Sequence, residues 1–241
     1  WTPYSVYAPE CPDLFRIEGR WYLIFSNVET RYRSAEGLKG PWLRYPVESF
    51  DGERFYAAKT LSDGQRCFLL GWIPSQEGER DEGRWEWGGH MALPREIVKQ
   101  PDGSVGVRCP EEIVKAFHEP IIKPSLPIEY EIGTGSWSIR NEGFLGSMKE
   151  GFAFIKFPQI PDDYLLEATI TLDSLTASAG FMFRMSSSLE NGYALALEPF
   201  AHRAAFRYWR RWGDPQPHVE RPLGIQPGHS VNCKVVVQGT I

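Results

Sequence analysis

Short apolar stretches alternate with turn-forming residues along the whole chain. Leu14 to Ile17 and Trp21 to Ser26 flank Glu18-Gly19, and two apolar runs on either side of a two-residue break predict a β-hairpin. Further strands are predicted at Phe55 to Thr60, Cys67 to Ile73, Trp85 to Leu93 and Val105 to Arg108. The turn pairs Asp51-Gly52, Asp63-Gly64 and Asp102-Gly103 separate them. Helical periodicity is confined to about one turn around Glu111 to Ala116. Many short, evenly spaced strands point to an all-β propeller, barrel or sandwich.

The texture changes at His118 to Pro127, where Pro120, Pro124 and Pro127 remove backbone donors that a central strand would need. A linker is expected there, over residues 118–135, between a first module at 1–117 and a second at 136–241. Beyond it, Tyr164 to Leu172, Gly180 to Met185, Tyr193 to Leu197 and Val231 to Val237 alternate in the manner of antiparallel strands with one buried face. These predict a β-sandwich. Its last strand runs to Gln238-Gly239-Thr240-Ile241 without a closing loop, so the sandwich is expected to lack its final strands.

Composition narrows the function classes. The 241 residues are enough for two modules, and no apolar run approaches the ~18 residues of a membrane-spanning helix. A net charge of -5 provides no basic surface for phosphate neutralisation, so neither nucleic acid nor membrane is expected as a partner. Aromatic residues make up 14% of the chain, nine of them tryptophan; their flat faces suit sugar rings as well as a core. Cys11, Cys67, Cys109 and Cys233 form no Cys-x-x-Cys pair and are expected as reduced, buried thiols. The chain opens Trp1-Thr2-Pro3-Tyr4, without Met or a leader pattern, so the true N-terminus is expected upstream, and cytoplasmic and secreted locations stay equally open.

The candidate chemistry lies at the start, in Tyr7-Ala8-Pro9-Glu10-Cys11-Pro12-Asp13-Leu14-Phe15. A glutamate just before an otherwise apolar strand stands where a propeller can point it into a central funnel. This stretch resembles glycoside hydrolase family 32, the invertases, levanases and inulinases, whose Glu-Cys motif matches Glu10-Cys11-Pro12-Asp13-Leu14-Phe15. Three more segments follow in the family's order. Phe55-Tyr56-Ala57-Ala58-Lys59-Thr60 is similar to its Asp-Phe-Tyr-Ala segment, Gly71-Trp72 to its Gly-Trp, and Trp87 to Glu96 to the stretch ending Leu-Pro-Arg-Glu. The resemblance implies the later blades of a five-bladed β-propeller followed by a lectin-like β-sandwich. It also implies a retaining glycosidase that releases fructose from sucrose or fructans, without cofactor or metal.

In such a mechanism one carboxylate attacks the fructosyl carbon while a second, about 5–5.5 Å away, protonates the leaving oxygen and then activates water. By resemblance Glu10 is that acid/base; otherwise it serves backbone groups at a strand start. The acid must carry a proton at working pH, which a partly desolvated pocket near other carboxylates would achieve. Cys11 is either beside the sugar or a buried small thiol. Trp72 and Tyr56 are either a wall and a hydroxyl of the sugar site or blade packing. For Asp13 a turn or strand-start role is expected.

The departures from the family's pattern are equally specific. Its nucleophile belongs to an Asn-Asp-Pro motif and its transition-state aspartate to an Arg-Asp-Pro motif, both upstream of Glu-Cys, and neither stands in this sequence. Trp212-Gly213-Asp214-Pro215 is only superficially similar, because it follows the acid and falls within the sandwich. Arg54 replaces the aspartate usual before Phe-Tyr-Ala. The missing blades and nucleophile are therefore expected on a segment outside these residues or on a second chain. A non-catalytic fructan-binding protein and a fructosyltransferase are the alternatives.

In the second module, Ala179 to Arg184 followed by Gly192 to Leu195 resembles lectin-like sandwiches, including the fructan-binding modules of some levanases. Phe206 to Trp212 interleaves aromatic rings with guanidiniums, suited either to sugars or to an interface with the propeller. His90, His118, His202, His218 and His229 show no metal-ligand spacing. The acidic loop Glu77 to Glu82 is expected as a solvated rim and not as a calcium site.

Overall fold

A computed structural model describes residues 8–52, 54–80, 83–122, 129–140, 143–158, 160–210 and 217–239. Part of the predicted linker, Trp212 to Pro215 and the end of the acidic loop at Asp81 and Glu82 lie outside the described residues. The fold is nearly all-β, with one short α-helix among the described residues. Contacts divide the chain into two compact units. One comprises Trp1–Pro110 with Thr169–Asn232, the other Glu111–Ala168 with Cys233–Ile241.

The first unit begins with an antiparallel meander of β1 (Glu10–Ile17), β2 (Arg20–Asn27) and β3 (Glu29–Ala35). Glu18 and Gly19, at φ 46° and 86°, form the two-residue connection with both residues left-handed that suits a twisted hairpin. The β2–β3 turn is the single residue Val28 at φ 67°, rare for a β-branched side chain. Its lack of a turn-forming residue is why β3 goes unpredicted. Isolated bridges from Ser34 to Leu43 and Arg31 to Ser49 line the outer edge of this sheet.

A second sheet follows: β4 (Tyr56–Ser62), β5 (Cys67–Gln76), β6 (Trp85–Met91), β7 (Arg95–Lys99) and β8 (Val105–Arg108). The order is β4-β5-β7-β8, with β6 pairing the far end of β5. All the pairings in this five-stranded sheet are antiparallel. The core joins the two sheets through Phe15, Tyr22, Ile24, Tyr32, Phe50, Phe55, Ala58, Leu69, Ile97 and Val105. Each large side chain in it contributes roughly 1.5–3 kcal/mol by leaving water. The hydroxyl of Tyr22, fully buried, donates to the carbonyl of Gly103 at 3.0 Å, so the ring stays in the core without an orphaned polar group.

Arg33 and Glu48 are also buried. Glu48 accepts from Arg33 at 2.6 Å and pairs with Arg31 at 3.1 Å and Arg44 at 2.7 Å, so one carboxylate answers three guanidiniums. Burial lowers the pKa of Arg33, and Glu48 opposes that shift.

The second unit holds α1 (Glu111–Ala116), β9 (Glu131–Thr134), β10 (Ser136–Arg140), β11 (Gly143–Ser147) and β12 (Phe154–Lys156). The pairs are β10 with β11 and β9 with β12, and Phe144 packs edge-on against Tyr130 and Phe157. β13 (Tyr164–Thr171) pairs with the last strand and has residues in both units.

The first unit resumes as a four-stranded antiparallel sheet of β14 (Ala179–Phe183), β15 (Asn191–Glu198), β16 (Arg203–Arg210) and β17 (Pro217–Pro222); β18 (Ser230–Val237) closes the chain. β15 and β16 pair over their full length. Phe206, Arg207 and Trp209 of the interleaved stretch find partners in this sheet and in the β14–β15 connection. Tyr193 stacks on Phe206 at 5.8 Å, Arg207 pairs with Glu198, and the Trp209 indole donates to the Leu189 carbonyl at 3.3 Å. Arg221 donates to the Asp51 carbonyl at 2.8 Å and the Ser49 hydroxyl at 3.3 Å.

All four cysteines are free, as expected, but each is half-buried and not buried. Cys67 flanks the core without entering it, and burial still pushes its thiol up to about 11.

Candidate functional site

Glu10 opens β1 and pairs with Ser26 of β2, after which the register slips by one residue before Asp13 pairs with Ile24. Cys11 sits inside this bulge at φ 49°. A bulge re-aims the side chains beside it, and here it turns Glu10 toward the neighbouring sheet. Tyr56 opens β4 and stands directly across from Trp72 of β5, their rings edge to face at 6.1 Å and 82°. The Tyr56 hydroxyl donates to Oε2 of Glu10. Met91 of β6 lies opposite Trp72 on its other side.

The structure therefore brings Glu10, Cys11, Tyr56 and Trp72 together from three strands of two sheets. Burial, then the hydrogen bond to Glu10 and the nearby charges of Glu10 and Cys11, push the Tyr56 phenol up to about 12. Tyr56 is thus a permanent donor in the neutral range. Its hydroxyl fills one of the acceptor sites on Oε2 of Glu10.

Glu10, the first residue of β1, is exposed. Asp13 goes beyond a strand-start role. Its Oδ2 accepts from the Thr60 N–H at 2.6 Å and hydroxyl at 2.7 Å, and its Oδ1 from the Leu14 N–H at 3.0 Å, so its carboxylate is consumed in tying β1 to β4. Arg54 lays its guanidinium over Trp85 at 5.1 Å, and its backbone N–H donates to the Val28 carbonyl at 3.0 Å.

Glu77 of the acidic loop pairs with Arg84 at 2.9 Å on the surface. Among the described residues, no group of three or more His, Cys, Asp or Glu is arranged to hold a metal ion. Sequence reading did not single out Met91, which only cross-strand register places beside Trp72, nor Trp87, 95% exposed on the same ribbon.

No protein-family model matches the chain. Solved structures similar to it include family 32 glycoside hydrolases. Sucrose-6-phosphate hydrolase from Lactobacillus gasseri has a TM-score of 0.58 and 13% identity, covering 96% of this chain and 46% of that one. A family 32 glycoside hydrolase from Bifidobacterium adolescentis has a TM-score of 0.44 and 16% identity, covering 96% and 37%. A family 43 glycoside hydrolase from Bacillus licheniformis has a TM-score of 0.39 and 13% identity, covering 99% and 53%. The first of these carries the likeness, which concerns the fold, and the chain spans about half its length.

Proposed function

We propose that the chain supplies the acid/base half of a retaining glycoside hydrolase that releases fructose from sucrose or fructans. The observation that carries this is the hydrogen-bonded pair of Glu10 and Tyr56 beside Trp72, three residues from motifs resembling family 32, within a fold similar to a member of that family.

A carboxylate outside these 241 residues, on another segment or a second chain that also completes the five-bladed propeller, attacks the anomeric carbon. Glu10 donates its proton to the departing oxygen as the glycosidic bond breaks, while Tyr56 holds Oε2. In the second step the carboxylate of Glu10 takes a proton from water, and the hydroxide formed displaces the fructosyl group from the nucleophile. The Trp72 ring offers apolar surface to the sugar's C–H face, and Cys11 lies beside the acid. The alternative is a non-catalytic fructan-binding module on the same scaffold.

Glu10→Gln in the full-length protein tests the assignment, because it removes the proton donor and keeps the shape. Fructose release from sucrose, inulin and levan is expected to fall about 10²–10⁴-fold with the fold intact. Unchanged release removes Glu10 from the mechanism. Sugar binding without release by the native protein establishes the binding module instead.

A further inference from the structure

The acid and its tyrosine sit on two bulges that face each other. From Glu10 to Asp13, β1 advances three residues while β2 advances two; from Tyr56 to Lys59, β4 does the same against β5. Each bulge holds a non-glycine residue in the left-handed region, Cys11 at φ 49° and Ala57 at φ 50°. Such conformations persist only where the surroundings over-determine them, and they gather at functional sites.

The surroundings here form a closed circuit. Ser26, almost fully buried, is the residue paired with Glu10, and its hydroxyl accepts from the Ala57 N–H at 2.9 Å. Ala57 adjoins Tyr56, which donates back to Glu10. The remaining link is Lys59, whose ammonium donates to the Pro12 carbonyl at 2.7 Å and the Cys11 carbonyl at 3.2 Å. A bulge takes carbonyls out of the ladder, and an ammonium carries enough donors to serve two of them from a single point.

Resting on the hydrolase reading above, we propose that Lys59 is a positioning residue: by gripping the carbonyls of Cys11 and Pro12 it holds the bulge that aims Glu10 at the reacting oxygen. Lys59 itself is exposed and belongs to the neighbouring sheet, so it contributes little to global stability while setting the direction of one carboxyl group. Misplacing a catalytic group by about 1 Å is enough to cost roughly 10²-fold in rate.

Lys59→Met in the intact protein removes the ammonium and keeps most of the stem. A ten- to hundred-fold fall in kcat is expected, with KM changed less than about threefold, the thermal midpoint preserved, and most of the rate restored by Lys59→Arg. The proposal is overturned if kcat stays within twofold, or if rate and thermal midpoint fall together and arginine restores neither. A second measurement needs no turnover. The ring-carbon resonance of Tyr56, assigned with Tyr56→Phe, should move toward that of a solvated tyrosine in Lys59→Met; an unmoved resonance refutes the grip. A native protein that releases no fructose sinks the hydrolase reading alone, and the resonance still decides the clamp.

Discussion

Replacing Gly71 by alanine would add one methyl group to β5, immediately before Trp72. The backbone at Gly71 lies outside the left-handed region, so the change is purely steric. A Cβ there would stand 2.7 Å from Cε2 and Cζ of Phe55 and 3.1 Å from the Tyr56 carbonyl. Carbon atoms rest at about 3.5–4.0 Å, so the ring must withdraw by about 1 Å. It has little room: Phe55 is 2% exposed, and the Arg95 guanidinium covers its ring at 4.4 Å while pairing with Asp51.

Overpacking of this kind costs about 1–3 kcal/mol, against roughly 0.4–1 kcal/mol gained from a stiffer unfolded chain. A net loss of about 1–2 kcal/mol is expected, read as a lower denaturant midpoint at unchanged m. Because Phe55 precedes Tyr56 and Gly71 precedes Trp72, the Tyr56–Trp72 contact should open as well, altering tryptophan fluorescence. Equal or greater stability in Gly71→Ala would refute the close packing, since alanine in an open strand position is favoured over glycine.

Two further perturbations probe the first unit. Glu48→Gln leaves Arg33 buried with its charge uncompensated, and about 3–5 kcal/mol of stability should be lost on chemical denaturation; a loss under about 1 kcal/mol would contradict the hub. Burial pushes the Tyr22 phenol up to about 12, whereas the unfolded chain ionises near 10. The folded state therefore keeps a proton that the unfolded state loses between pH 10 and 12. The contribution is whole below pH 10 and is lost as pH rises toward 12, about 2–3 kcal/mol for this two-unit shift. Tyr22→Phe should flatten the alkaline fall in the thermal midpoint, and an unaltered pH dependence would exclude Tyr22 as its source.

The sequence alone determined what depends on neighbours along the chain. Apolar runs broken by Glu18-Gly19, Asp63-Gly64 and Asp102-Gly103 are local signals, and β1, β2, β4, β5, β6 and β8 form where those signals predict strands. The same holds for β13, β14, β15 and β18. The motifs that marked Glu10, Cys11, Tyr56 and Trp72 are contiguous stretches, so their members could be named without coordinates.

Tertiary structure decided whatever depends on distant partners. β3 turns at a lone valine and buries Arg33, whose charge is answered by Glu48 from fifteen residues further along the chain. Phe206 and Arg207 of β16 pack within their own sheet because β15 supplies Tyr193 and Glu198 as their partners. The two bulges are set by cross-strand slips and by Ser26, Lys59 and Asp13 reaching across sheets, and no local pattern encodes them. Strand formation is governed by turn chemistry and alternation over a few residues. The aim of Glu10 is governed by register, which only the packing of one sheet against another specifies.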